Sequence, residues 1–95
     1  MLHKWTYQDD LVVLYLFKFG NDKIPYTMDQ IAENRNITLG SLIMRRSNMS
    51  AVAGQGGLSH FGKITQKVYS DHINKTEPEL KKLAFPELFR RAKPN

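Results

Sequence analysis

Apolar side chains cover most of a helical circumference in the stretch DLVVLYLFKF, residues 10–19, and stop at Gly20-Asn21-Asp22. Its β-branched and aromatic content would tolerate a strand. The start of the run decides for a buried helix, because Thr6-Tyr7-Gln8-Asp9 sets a hydroxyl at an N-cap and a carboxylate three positions on. That pairing satisfies the free backbone N–H groups of a helix start.

The same cap logic repeats along the chain. Pro25 holds Ile24 extended, and Thr27 with Gln30 forms a second cap, flanked by Tyr26 and Ile31 at hydrophobic-staple positions. This predicts a short helix from Met28 to about Arg35, with Asn36 as a turn residue tolerant of positive φ. Thr38 opens a third helix to about Ser50, with Ile37 and Leu42 again at staple spacing. Ala51 to Ser59 contains three glycines and reads as a loop. Ser59 then caps a fourth helix through Asp71, with Phe61, Ile64, Val68 and Ile73 on one side. Thr76-Glu77-Pro78-Glu79 caps a fifth, whose stripe of Leu80, Leu83, Ala84, Leu88 and Phe89 is interrupted at Pro86. A basic tail begins at Arg90.

With no internal repeat and no strand pattern, the expectation is an all-α bundle of four to five helices containing a helix-turn-helix. Residues 1–95 form one domain, its core about 5–73, with 74–95 a C-terminal helix and tail. A chain of 95 residues has room for a single core. It has no cysteine, so neither disulfides nor thiolate metal sites contribute, and packing must hold the fold. The longest apolar run, Leu11 to Phe17, is too short to cross a bilayer, which predicts a cytoplasmic protein without membrane association.

The formal charge is +5, but its placement says more than its sum. No Asp or Glu occurs between Asn34 and Ser70, while Arg35, Arg45, Arg46, Lys63 and Lys67 fall in that window. Segregation of this kind suits a phosphate-facing surface.

Within the window, the second and third helices have the outline of a helix-turn-helix. At about 100° per residue, Leu39, Leu42, Ile43 and Met49 of the third helix share one side. Gly40, Ser41, Met44, Ser47 and Asn48 lie opposite, with Arg45 on the flank. An ordinary solvated face favours strong helix formers such as Glu, Lys and Gln. Small residues there make sense where another surface comes close, as a DNA groove does.

Asn48 can pair with adenine and Arg45 can fork onto guanine. Thr38 and Ser41 can hold a phosphate at the positive end of the helix dipole. Arg35, Arg45, Lys63 and Lys67 are assigned to phosphates. Ser41, Met44, Arg45, Asn48 and Gln55 are assigned to the groove, beside the small surface of Gly40 and Ser47. Arg46 does not fit, since it projects toward the apolar arc. Either its head reaches Asp29 or Glu33, or the helical phase is off by a residue.

The segment AVAGQGGLSHFGK does not match the G-x-x-x-x-G-K-S/T phosphate loop, although its glycines let backbone N–H groups approach a phosphate, where Ser59 and His60 also fall. His3, His60 and His72 have no metal-ligand spacing, and no catalytic triad stands out. The residues therefore point to no enzyme, no metal and no cofactor.

Several motifs together resemble a known family. They are Trp5-Thr6, Leu14-Tyr15, Ile31-Ala32-Glu33, LGSLIMRRSNMSAV at 39–52 and GGLSHFGKITQKVYSDH at 56–72. This series resembles the N-terminal DNA-binding domain of bacterial HNH restriction endonucleases over about residues 5–73. Met44, Arg45 and Asn48 fall on its methionine, basic and asparagine positions. Gly57-Leu58-Ser59-His60 and Gly62-Lys63 fall on its G-L-S block.

The resemblance implies a helical double-stranded DNA-binding domain in which helix and glycine loop act together, as a transcription regulator or restriction-associated factor. Arg46 departs from an apolar family position, and no H-N-H nuclease motif is found. A second reading is a protein-interaction module, a phage or defence-system protein that docks a partner on the same face or forms a homodimer. The segment from Leu83 to Phe89 is the candidate dimer face.

Overall fold

The computed structural model describes residues 3–56 and 62–90. Five α-helices follow one another, α1 (Tyr7–Phe19), α2 (Met28–Asn34), α3 (Leu39–Gly54), α4 (Lys63–His72) and α5 (Glu77–Ala84). A 3-10 turn at Pro86–Phe89 closes the series. No strand occurs among the described residues, so the all-α bundle expected from the sequence is the fold.

Helix α1 is its axis. Residues 9 to 16 of α1 are buried without a break, and α3, α4 and α5 all pack on it. Burial on every side explains why its apolar pattern showed no single face. Leu42, Met49 and Val52 of α3, Val68 of α4 and Leu80 of α5 close the core around it. Each such side chain contributes about 1.5–3 kcal/mol through its removal from water.

Thr6, Thr27 and Thr76 each form a capping box, with Asp9, Gln30 and Glu79 respectively at the third position. Asn36 adopts φ 59° between α2 and α3, the left-handed turn that its short amide tolerates.

Helix α3 runs four residues beyond the expected end, through Ala51, Val52, Ala53 and Gly54. Val52 explains the extension, because its full burial against the core offsets the low helix propensity of a single glycine, about 1 kcal/mol. Helix α4 begins at Lys63, not after a Ser59 cap. Its N-cap is Gly62, at φ 145° and ψ 147°, a conformation open essentially to glycine alone. Its inward side is Thr65 and Val68, and Ile64, expected inward, is exposed. In α5, Leu80 and Ala84 face the core with Phe85 after them, while Leu83 and Phe89 are exposed.

Side chains of α1 also satisfy the ends of its neighbours. Gln8 Nε2 donates to the carbonyls of Leu83 and Ala84, and Lys18 Nζ donates to the carbonyl of Lys75 at 2.6 Å, so free carbonyls near the ends of α4 and α5 meet donors. Tyr15 donates to Glu77 at 2.6 Å, tying the centre of α1 to the start of α5. No helix is long and apolar enough to cross a membrane among the described residues.

Candidate nucleic-acid interface

Helices α2 and α3 pack on each other across the turn of Arg35 to Thr38. The side of α3 that enters the core is Leu42, Met49 and Val52, all fully buried, with Arg45 on the same side. Facing away are Gly40, Ile43, Met44, Ser47 and Ser50. The inward face is thus rotated from the one expected. Ile43, expected inward, is 42% exposed, and Arg45, expected on the outer flank, turns in.

The reason lies on α1. Asp10 is fully buried, and a carboxylate in that position requires a cation and donors. Arg45 Nε and Nη2 donate to its two oxygens at 2.9 and 2.7 Å, a parallel fork, and Thr65 Oγ1 of α4 donates at 3.1 Å. Only 14% of the Arg45 side chain is exposed. The fork assigned to guanine is occupied by Asp10.

Arg35, assigned to a phosphate, is also engaged. Its Nε donates to Asp9 Oδ1 at 2.7 Å, and His3 Nε2 lies 2.7 Å from the other oxygen, which also accepts the Thr6 N–H. Burial pushes the Asp9 carboxyl up, but the bonds from His3, Arg35 and Thr6 outweigh it and hold the group below the usual carboxylate range. Two adjacent acids of one helix turn are thus each matched by an arginine from the helix pair.

The inward turn of Arg45 frees Arg46 from the apolar arc. Arg46 is half-buried beside a hollow of about 280 Å³ bordered by Leu16, Phe17, Ser47 and Ser50. It forms no ion pair with Asp29 or Glu33, and the displaced phase is the explanation that holds.

Four of the candidate residues meet around one small depression. Ser41, Met44, Arg45 and Asn48 border a cavity of about 110 Å³ together with Trp5. The Arg45 guanidinium lies 4.6 Å from the Trp5 ring centroid, and His3 meets the same indole edge-on at 5.0 Å. In the sequence, Trp5 stands out only as part of the Trp5-Thr6 resemblance. Nothing in the sequence signals that residue 5 returns to residue 45, because Asp10 mediates the return.

The other candidates are dispersed. Thr38 accepts the Ser41 N–H at 3.0 Å and donates to Ser41 Oγ at 2.9 Å, so its hydroxyl serves the cap. Gly40, Ser47 and Gln55 are exposed, Gln55 at the C-cap of α3. Lys63 is exposed at the start of α4, and Lys67, also exposed, lies 3.3 Å from Asp71. Ser59 and His60 lie outside the described residues.

A further cluster joins α1 to α4. Tyr7 donates to Asp71 at 2.7 Å and lies 2.7 Å from His72 Nε2. Burial raises the Tyr7 phenol to about 12, with Asp71 adding to the shift. Burial, then the nearby Lys75 charge, lowers the His72 imidazole. No group of three His, Asp or Glu side chains suits a metal ion among the described residues.

Comparison of the chain with protein-family models, with curated proteins and with solved structures finds no match.

Proposed function

We propose that this protein binds double-stranded DNA as a protein or module, with α2 and α3 acting as a helix-turn-helix and the outward side of α3 entering the major groove. One observation carries the reading. The outward side of α3 sets Gly40, Ser41, Ser47 and Ser50 beside the exposed Ile43 and Met44 with no acid, and both acids of the adjoining α1 turn are held inside by arginines. A polyanion therefore meets no exposed carboxylate on that helix.

In this reading Thr38 and Ser41 meet a phosphate at the start of α3, and Arg46, Lys63 and Lys67 neutralise others. Ser41, Met44, Asn48 and Gln55 meet base edges, with Gly40 and Ser47 permitting close approach. Arg45 and Arg35 become positioning residues that fix α3 and α2 on α1. Ser59 and His60 belong to the interface through the sequence pattern alone. The resemblance extends the reading to a transcription regulator or restriction-associated factor in the cytoplasm, binding without catalysis.

A protein partner or second copy docking on the same side is the alternative, favoured by the exposure of Ile43 at 42% and Met44 at 67%. Fluorescence anisotropy with a mixed duplex pool at two salt concentrations separates the two. DNA binding through about four phosphates weakens with a log–log salt slope of about −3.6. Absence of binding at low salt overturns the DNA reading and leaves the docking one.

A further inference from the structure

Helices α1 and α4 are joined by two polar contacts. In one, Thr65 donates to the buried Asp10, beside Val68 in the core. In the other, the first residue of α1, Tyr7, meets the last residue of α4, His72, with the rings edge-on and their centroids 5.8 Å apart.

The hydrogen bonds of the second contact fix the state of the imidazole. Tyr7 has one hydroxyl proton, and it goes to Asp71 Oδ2 at 2.7 Å. That bond holds the Asp71 carboxyl below the usual carboxylate range, so at neutral pH the carboxylate only accepts. The Tyr7 oxygen is left to accept, and His72 Nε2, 2.7 Å away, must carry the ring proton. Its other nitrogen, Nδ1, is buried without a hydrogen-bond partner among the described residues. In the neutral ring this atom is a bare acceptor. Protonated, it becomes a buried donor on a cation with nothing to receive it.

The groups around the ring do not compensate that cation. Tyr7 faces it from α1, Asp71 and Lys67 from α4 itself, and Lys75 from the turn that follows. Burial first and the Lys75 charge second hold the imidazole below its ordinary value, with Lys67 adding to them and Asp71 opposing. Asp71 is already engaged by Tyr7 and lies 3.3 Å from Lys67.

We infer that the Tyr7–His72 contact is an acid-sensitive latch between the start of α1 and the end of α4. Uptake of a solvent proton at Nδ1 expels the imidazole from the interface and loosens the bonds that close α4. These run from the Ile73 N–H to the Tyr69 carbonyl at 2.9 Å and from the Lys75 N–H to the His72 carbonyl at 3.1 Å. The Thr65 and Val68 contacts hold the rest of α4 on α1, so the opening is local and distinct from an overall loss of stability in acid. The latch stands independently of the DNA reading, since no residue of α3 takes part.

The test is a pH titration of the intact protein by NMR, read at the ring nitrogens of His72 and in the hydrogen exchange of single amides. At about pH 8 the ring is expected to carry its proton on Nε2. From about pH 6.5 down to the lowered folded-state value, protection of the Ile73 and Lys75 amides should fall by about tenfold per pH unit, while Val13 and Leu42 keep theirs. These readouts in the unaltered protein need no substitution. His72→Gln retains an amide donor for Tyr7 and does not titrate, so its Ile73 and Lys75 protection should be independent of pH. Tyr7→Phe removes the acceptor of Nε2 and should lower their protection already at neutral pH. The inference is overturned by a proton on Nδ1 at neutral pH, by pH-independent protection of Ile73 in the unaltered protein, by loss of Val13 protection in step with Ile73, or by a pH dependence that survives in His72→Gln.

Discussion

Arg45 and Asp10 form a parallel two-bond pair at 2.9 and 2.7 Å, which sets Arg45 on the same inward side of α3 as the buried Leu42, Met49 and Val52. Its carboxylate is fully buried, so removal of the cation leaves an uncompensated charge. Arg45→Ala is expected to cost about 3–5 kcal/mol in urea unfolding. The double variant Asp10→Leu, Arg45→Met should recover most of that loss, because a matched apolar pair needs no charge compensation. Equal destabilisation in the double variant would show that packing of the Arg45 stem is what matters.

Trp5 is the only tryptophan in the chain and stacks against the Arg45 guanidinium at 4.6 Å, so its fluorescence reports on the α3 surface. The double variant Asp10→Leu, Arg45→Met should shift the emission maximum without loss of helical circular dichroism. Titration of duplex DNA into the unaltered protein should change Trp5 intensity with the same midpoint as anisotropy. An unchanged Trp5 signal alongside clear binding would place the DNA away from α3.

The proposed base and phosphate contacts separate by their salt response. Asn48→Ala should cost about 1–3 kcal/mol on a preferred sequence and little on others. Lys63→Ala should weaken all sequences uniformly and reduce the magnitude of the salt slope by about 0.9. Competition binding at two salt concentrations checks both.

Stability should fall on acidification in two stages. His72 has a folded-state pKa below its ordinary value, so the unfolded chain takes up a proton first and stability declines as pH drops below about 6.5. Asp9, Asp71 and Glu77 are also lowered, which makes their contribution complete above about pH 4.3 and lost as pH falls through their folded values. Urea midpoints across this range should show both limbs. His72→Gln should flatten the upper limb and spare the lower.

Two glycines should respond in opposite ways to alanine. Gly62 sits at φ 145°, where Gly62→Ala should cost about 1–3 kcal/mol. Gly54 lies in the last turn of α3 with open space at its Cβ position, so Gly54→Ala should stabilise by about 0.5–1 kcal/mol. Thermal unfolding of the pair measures the difference.

Helix starts were legible because they are local. Thr6, Thr27, Thr38 and Thr76 each cap the helix expected of them, through bonds spanning three residues. Tertiary contact overrode local propensity at the end of α3, where buried Val52 carries the helix into Gly54, and at the start of α4 Gly62 stands at the N-cap in place of the expected serine.

For the candidate site, the sequence by itself determined which stretch lacks acids and which helix holds small polar residues, since both are properties of composition along the chain. Only the tertiary structure decided which side of that helix is outside. Apolar periodicity ranks Arg45 as a surface residue, and nothing local reveals that a fully buried Asp10 waits on another helix. A carboxylate out of water needs its cation nearby, and that pairing turns Arg45 inward, leaves Ile43 exposed and carries Arg46 off the apolar arc.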